Sequence, residues 1–127
     1  MKKNFVRFPI MWVLFFLFLA STVQAQTDSV RRLKFQRGHS SAVVRGNLSC
    51  DQTVTYLVGA KAGQKMSVHL SGKGAAYRLG TPNGGALQGG KAVNRSTDDL
   101  DESGDYKISV ECWKQAASSY ELEVVIQ

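Results

Sequence analysis

Few side chains in this 127-residue chain could carry out covalent chemistry. A nucleophilic triad needs a histidine beside a serine or cysteine, with a carboxylate that orients the histidine ring. The two histidines are His39, in a predicted turn, and His69, on the outward face of a predicted strand. No motif joins either of them to a nucleophile. The sequence therefore predicts that the protein is not an enzyme, and it assigns no catalytic residue.

The remaining motifs that suggest ligand chemistry are incomplete. The run Asp99-x-Asp101-x-Ser103-Gly104 matches the first half of a calcium loop, but a valine, Val110, stands where the bidentate glutamate should be. Residues 85–91 have the spacing of a phosphate-binding loop, but Ala92 follows in place of the hydroxyl residue and no helix pattern continues. We therefore predict no metal site and no cofactor.

The first 25 residues have the pattern of a secretory signal peptide. They begin with three basic residues, continue with an uncharged apolar run from Ile10 to Ala20, and end with Val23-Gln24-Ala25 as a cleavage pattern. The apolar run is shorter than the roughly 20 residues that a membrane-spanning helix needs. We expect a mature chain from Gln26, located in the periplasm or secreted, with no membrane association after cleavage.

The charge of the mature part excludes one class of partner. Removal of the leader takes three of the 16 basic residues and leaves 13 against 10 acidic ones, a net charge of +3. The basic cluster from Arg31 to Arg37 alternates with Leu33 and Phe35, as the solvated face of a strand does. Charge this small and dispersed does not predict a nucleic-acid partner.

Cys50 and Cys112 are the only cysteines. They lack zinc-type spacing with each other and with the histidines, and cysteines in an oxidising compartment normally pair. Their parity continues that of Leu48 and Val110, so both are expected to point inward. We predict a Cys50–Cys112 disulfide; two buried free thiols are the alternative.

A period of two dominates the sequence from Ser29 onward, as in strands with one buried face. Residues 84–93 read as a weak strand or a loop, and the polar stretch from Asn94 to Gly104 reads as a loop. About seven or eight short strands without a helix predict one all-β domain, an antiparallel β-sandwich over residues 26–127. The predicted strands run from Val30 to Gln36, Ser41 to Leu48, Thr53 to Ala60, Lys65 to Ser71, Ala75 to Thr81, Tyr106 to Cys112 and Tyr120 to Ile126.

The turn Ser103-Gly104-Asp105-Tyr106 has two interpretations. The spacing from Leu100 to Tyr106 is that of a tyrosine corner, in which the hydroxyl bonds back to the backbone. Tyr106 also shares the inward parity of Ile108, which favours a structural role. Alternatively, Ser103 and Tyr106 form a presented binding loop, with Gly104 allowing the tight turn.

Four features in order resemble the exported bacterial lysozyme inhibitors of the i-type and g-type families, and more loosely the pre-peptidase C-terminal domains. They are Leu33-x-Phe35-x-x-Gly38-x-Ser40-Ser41-Ala42, the turn Ala60-Lys61-Ala62-Gly63-Gln64-Lys65, the S-G-D-Y turn, and the strand Tyr120-x-Leu122-x-Val124. In the i-type inhibitors an S-G-x-Y loop enters the active-site cleft of lysozyme. The resemblance implies that Ser103 and Tyr106 contact the enzyme and that Gly104 shapes the loop.

We therefore predict a lysozyme inhibitor whose protein partner is an i-type or g-type lysozyme, blocked at its cleft by the S-G-D-Y loop. The alternative is a non-inhibitory β-sandwich module that binds cell-wall glycan or an envelope protein. A homodimer formed through a sheet edge is compatible with the sequence.

Overall fold

A computed structural model describes residues 28–112 and 118–127. The predicted signal peptide, residues 1–25, lies outside this part of the chain, as does most of the predicted connection from Trp113 to Ser119. Within the described residues, no helix is long and apolar enough to cross a membrane. The strands of this part are β1 (Ser29–Arg32), β2 (Ser41–Leu48), β3 (Val54–Ala60), β4 (Lys65–Ser71), β5 (Ala75–Gly80), β6 (Arg95–Asp99), β7 (Gly104–Cys112) and β8 (Ser118–Ile126).

The strands form two four-stranded sheets, with the orders β1-β3-β7-β5 and β2-β8-β4-β6. This confirms the predicted β-sandwich. One pairing differs from the antiparallel expectation, because β1 runs parallel to β3. The chain leaves β1 for the second sheet, runs through β2, and returns to the first sheet as β3. Because two reversals of chain direction separate β1 from β3, these two strands run the same way.

The period of two predicted the strands that contribute most of the core. β2 and β4 have the predicted bounds, and burial along β3 and β4 alternates residue by residue. Side chains from the two inner faces meet with almost no solvent exposure, as expected for a packed sandwich. The most deeply buried include Val58, Met66, Val68, Tyr77, Tyr106, Ile108, Val110, Leu122 and Val124.

The largest departures from the predicted strands are in β1 and β6. β1 ends at Arg32 instead of continuing to Gln36, although Leu33 still packs into the core at 6% exposure. The stretch Arg95–Asp99, predicted as loop, is strand β6 and pairs with β4. Its inward positions include Ser96, which satisfies its hydroxyl by a 2.6 Å hydrogen bond with the Tyr77 hydroxyl. Because the strand buries polar side chains, it lacks the apolar alternation that identifies a strand in sequence.

The Tyr77 hydroxyl joins the two sheets. It donates to the carbonyl oxygen of Val68 across the core at 3.1 Å, besides its contact with Ser96. Burial raises the pKa of Tyr77 to about 12, because the phenolate would lose its hydration in the core. A second pair, Tyr56 and Tyr120, joins β3 to β8 with their hydroxyl oxygens 2.7 Å apart. Each of these buried tyrosine hydroxyls thus has a hydrogen-bond partner, as buried polar groups normally do.

The predicted Cys50–Cys112 disulfide is confirmed, with the two Cα atoms 4.9 Å apart. The inward orientation predicted for Cys50 was wrong, because this residue is exposed. β2 ends at Leu48, and the chain then turns, with Gln52 donating its N–H to the Ser49 carbonyl at 3.0 Å. Strand parity therefore does not extend to Cys50. The bridge closes a sequence separation of 62 residues.

We predict that the double variant Cys50→Ala/Cys112→Ala is less stable by about 4 kcal/mol, because the bridge limits the conformational entropy of the unfolded chain. Urea unfolding of the mature protein and the variant measures this difference. Treatment of the wild type with reductant should lower its stability by a similar amount and leave the variant unchanged. Equal stability of the oxidised wild type and the variant would contradict the prediction.

Candidate functional site

The S-G-D-Y turn closes the corner between β6 and β7, and a hydrogen-bonded tyrosine holds it. The Tyr106 hydroxyl donates to the carbonyl oxygen of Glu102 at 2.7 Å and accepts from the Glu102 N–H at 3.3 Å. The side chain of Tyr106 is only 1% exposed, and Leu100 is 2% exposed beside it in the core. The structure therefore shows the tyrosine corner that the spacing indicated.

Ser103 and Gly104 form the exposed part of the same turn. The Oγ of Ser103 accepts a 2.9 Å hydrogen bond from the N–H of Ala62. Gly104 has a φ of 140°, a conformation that residues with a Cβ rarely adopt. A Cβ at this position would also lie 3.0 Å from the Cβ of Pro82. Of the three predicted site residues, two face solvent and the third supports them from inside.

Two neighbouring turns pack around this corner and complete one end of the sandwich. The turn of residues 61–64 pairs with Leu100 in both directions, since Gly63 N–H donates to the Leu100 carbonyl and Leu100 N–H donates to the Gln64 carbonyl, each at 2.8 Å. The turn of residues 81–84 is tied through Asn83, whose backbone and side-chain N–H groups donate to the Glu102 carboxylate at 3.2 and 2.9 Å. We refer to residues 61–64, 81–84 and 100–104 together as the loop end.

Most of the acidic residues around the corner are matched by partners within the chain. Asp99 lies 3.8 Å from the Lys65 Nζ, and Asp98 accepts a hydrogen bond from the Gln88 side chain at 2.7 Å. Asp105 forms a two-pronged ion pair with Arg32, at 2.9 and 2.7 Å. Hydrogen bonding by this guanidinium holds the pKa of Asp105 below its ordinary value. Two of the five carboxylates of the acidic run thus have a cation beside them, so the run is less negative than its sequence indicates.

An open groove of about 500 Å³ lies beside Gly104. It runs between the two sheets at the loop end, next to the turn of residues 61–64. Its walls combine apolar side chains with the polar groups of the adjoining turns. The lining includes Phe35, His39, Lys61, Gln64, Gly104, Asp105 and Ile126.

The histidines and carboxylates are dispersed over the surface. His39 lines the groove, whereas His69 lies on the outer face of the second sheet, where its Nε2 is 3.2 Å from the Arg95 guanidinium. In the described ranges, no three residues of the types His, Cys, Asp and Glu gather as a metal site would require. In the stretch that matches the first half of a calcium loop, Asp99 lies against Lys65.

Comparison with known proteins gives a clear relationship. The chain is 33% identical over 113 residues to an Escherichia coli K12 protein named inhibitor of g-type lysozyme, a match that covers 89% of this chain and 77% of the relative. The chain belongs to the family of periplasmic g-type lysozyme inhibitors. The resemblance indicated by the four sequence features is thus confirmed for the g-type inhibitors.

Solved structures agree with this membership. PliG of Aeromonas hydrophila, a periplasmic inhibitor of g-type lysozyme, is 27% identical with a TM-score of 0.65, over 80% of this chain and all of that one. The pre-peptidase C-terminal domain of a Bacillus anthracis collagenase has a TM-score of 0.52 at 14% identity, over 80% of this chain and 97% of that domain, and shows the fold alone. No protein-family model matches the chain.

Sequence reasoning did not anticipate that the turns of residues 61–64 and 81–84 surround the corner of this family member. The hydrogen bond between Ala62 and Ser103 joins residues 41 positions apart, and that between Asn83 and Glu102 joins residues 19 apart. Neither contact has a local sequence signature, so the strand order was needed to find them.

We predict that Tyr106→Phe lowers the free energy of unfolding by about 1–2 kcal/mol, because it removes both hydrogen bonds to the part-buried backbone of Glu102. Ser103→Ala is the control, and its effect should stay within about 0.5 kcal/mol because water can replace the lost hydroxyl at the exposed N–H of Ala62. Denaturant unfolding of both variants checks the prediction. It is wrong if Tyr106→Phe is no more destabilising than Ser103→Ala.

Proposed function

We propose that this protein is a periplasmic inhibitor of a g-type lysozyme and blocks the active-site cleft of the enzyme with its loop end. The observation that carries the proposal is the 33% identity, over 113 residues, to the E. coli inhibitor of g-type lysozyme. The predicted leader, residues 1–25, directs export in this proposal. The protein acts by occupying the enzyme and performs no reaction itself.

The exposed hydroxyl of Ser103 is the proposed centre of the contact. Its oxygen already accepts from the Ala62 N–H, which sets the orientation of the side chain. In the described part of the chain, no acceptor within hydrogen-bond distance takes the Ser103 proton, so the hydroxyl can donate to a partner. A glycosidase cleft is lined by carboxyl groups, and a hydroxyl that donates to a carboxylate makes a strong, charge-assisted hydrogen bond.

Preorganisation of the loop end supports this role. Ordering a loop on binding costs free energy that a rigid loop does not lose. Here the backbone is held by Tyr106 from below, by the turn of residues 61–64 on one side and by Asn83 on another. In this proposal Tyr106 is a positioning residue, and Ser103 and Gly104 present the contact surface.

The electrostatics of the loop end are compatible with entry into an acidic cleft. Arg32 and Lys65 lie against two of the carboxylates around Ser103, and Asn83 donates to a third. Lys61 lies exposed on the adjoining turn and lines the groove beside Gly104. A cation there attracts carboxylates on the rim of the enzyme, chiefly by accelerating association.

We predict that the mature protein suppresses lysis of bacterial cell walls by a g-type lysozyme and that Ser103→Ala weakens inhibition about tenfold, the size expected for one hydrogen bond to a charged group. Ser103→Thr retains a hydroxyl and should retain most of the inhibition. A turbidity assay gives the inhibition constants. Ser71→Ala, at a serine of β4 away from the loop end, is the control and should inhibit like the wild type.

Two outcomes would contradict parts of this proposal. Absence of inhibition at micromolar protein would reject lysozyme as the target, and binding to purified peptidoglycan without lysozyme would then favour a glycan-binding module. Inhibition that is unchanged in Ser103→Ala would leave the target intact and reject the contact. Unfolding measurements on each variant separate a lost contact from a lost fold.

A further inference from the structure

The open edge formed by β1 and β2 is a second surface of the molecule, distinct from the loop end. These two strands lie at the same side of the sandwich, β1 ending one sheet and β2 ending the other. Between them runs a groove of about 280 Å³. Four of its lining residues are basic and none is acidic: Arg31, Arg32, Lys34 and Arg45. We refer to these four residues and β2 as the basic edge.

The backbone of β2 presents unpaired hydrogen-bonding groups on this side. Ile126 donates its N–H to the Ser40 carbonyl at 2.8 Å, and antiparallel pairs alternate between bonded and non-bonded positions. The backbone groups of Ser41, Val43, Arg45 and Asn47 therefore point away from β8. In the part of the chain that the structure describes, no strand pairs with them. An edge of eight residues with no proline is a template for another extended segment.

An apolar side chain lies on this free edge. Val43 is 49% exposed, one of the two large hydrophobic side chains most accessible to solvent among the described residues. Ala42 and Val44 are half-buried and line the groove between the sheets. An added strand would cover this surface as well as pair with the backbone.

The charges decide which occupant fits. Arg32 and Arg45 are partly neutralised by Asp105 and Glu121, at 2.7 Å in each case, whereas Arg31 and Lys34 are exposed cations beside the free edge. A second copy would bring the same cations against each other, and like charges oppose association. A segment with carboxylates would pair with them while its backbone pairs with β2.

We propose that the basic edge binds an extended, acidic polypeptide segment of a partner protein, which adds to the second sheet as a strand beside β2. This surface does not include Ser103 or Gly104, so its residues are separate from those proposed to contact the enzyme. The protein would then hold an acidic partner while its loop end occupies an enzyme.

The test uses the mature chain and a blocked eight-residue peptide of alternating Glu and Thr, matched to the length of β2. A peptide of the same length with Lys in place of Glu is the control for charge. We expect the acidic peptide alone to bind, with amide NMR shifts concentrated at Ser41, Val43, Arg45 and Asn47. Higher salt should weaken binding because the cations are exposed.

Two pairs of variants separate the contribution of backbone pairing from that of charge. Val43→Pro removes an outward N–H at an edge, where proline is tolerated, and should abolish binding; Thr97→Pro, on the edge strand β6, is its control. Arg31→Glu/Lys34→Glu should weaken binding about tenfold. Lys73→Glu/Lys91→Glu changes the net charge equally at exposed positions elsewhere and should bind like the wild type.

Several results would overturn the proposal. They are equal binding of the acidic and basic peptides, equal loss in the control variants, or no binding of the acidic peptide at millimolar concentration. Concentration-dependent dimerisation that shifts the same amides without peptide would assign the edge to a second copy instead. Ser103→Ala should bind the peptide normally, so the result is independent of lysozyme inhibition.

Discussion

The hydroxyl of Tyr106 holds the exposed β6–β7 corner from inside the core. It bonds to both backbone groups of Glu102, while the ring is 1% exposed among the side chains of the two sheets. The Glu102 carboxylate then binds Asn83, and Ser103 of the same corner binds the backbone of Ala62. Three turns from separate parts of the chain therefore share one frame, and the burial of a single aromatic ring sets the position of that frame.

Strands that bury one apolar face could be predicted from the sequence with accurate bounds. β2 and β4 alternate clearly, and each was placed residue by residue. β6 was missed because its inward residues are the polar Ser96 and Asp98, whose hydrogen bonds with Tyr77 and Gln88 form only after folding. The parallel pairing of β1 with β3 has no counterpart in periodicity, because it follows from the path of the chain between the sheets.

The corner itself was readable from sequence, because Leu100, Gly104 and Tyr106 have a spacing with a known physical basis. Its surroundings were not, because they depend on which turns the strand order brings together. The acidic run shows the difference. In sequence, the carboxylates near Ser103 indicate a strongly negative loop, whereas in the structure Arg32 and Lys65 from other strands lie against Asp105 and Asp99.

The placement of β7 explains how a small domain can present a rigid loop. β7 lies between β3 and β5 in its sheet, so neighbours hold it on both sides. Its first residue, Gly104, belongs to the exposed corner, and its last, Cys112, is bonded to Cys50. One strand thus carries the proposed contact at one end and a covalent anchor at the other. A contact surface built on such an element keeps its geometry in the free protein, and most of the ordering cost has already been met by folding.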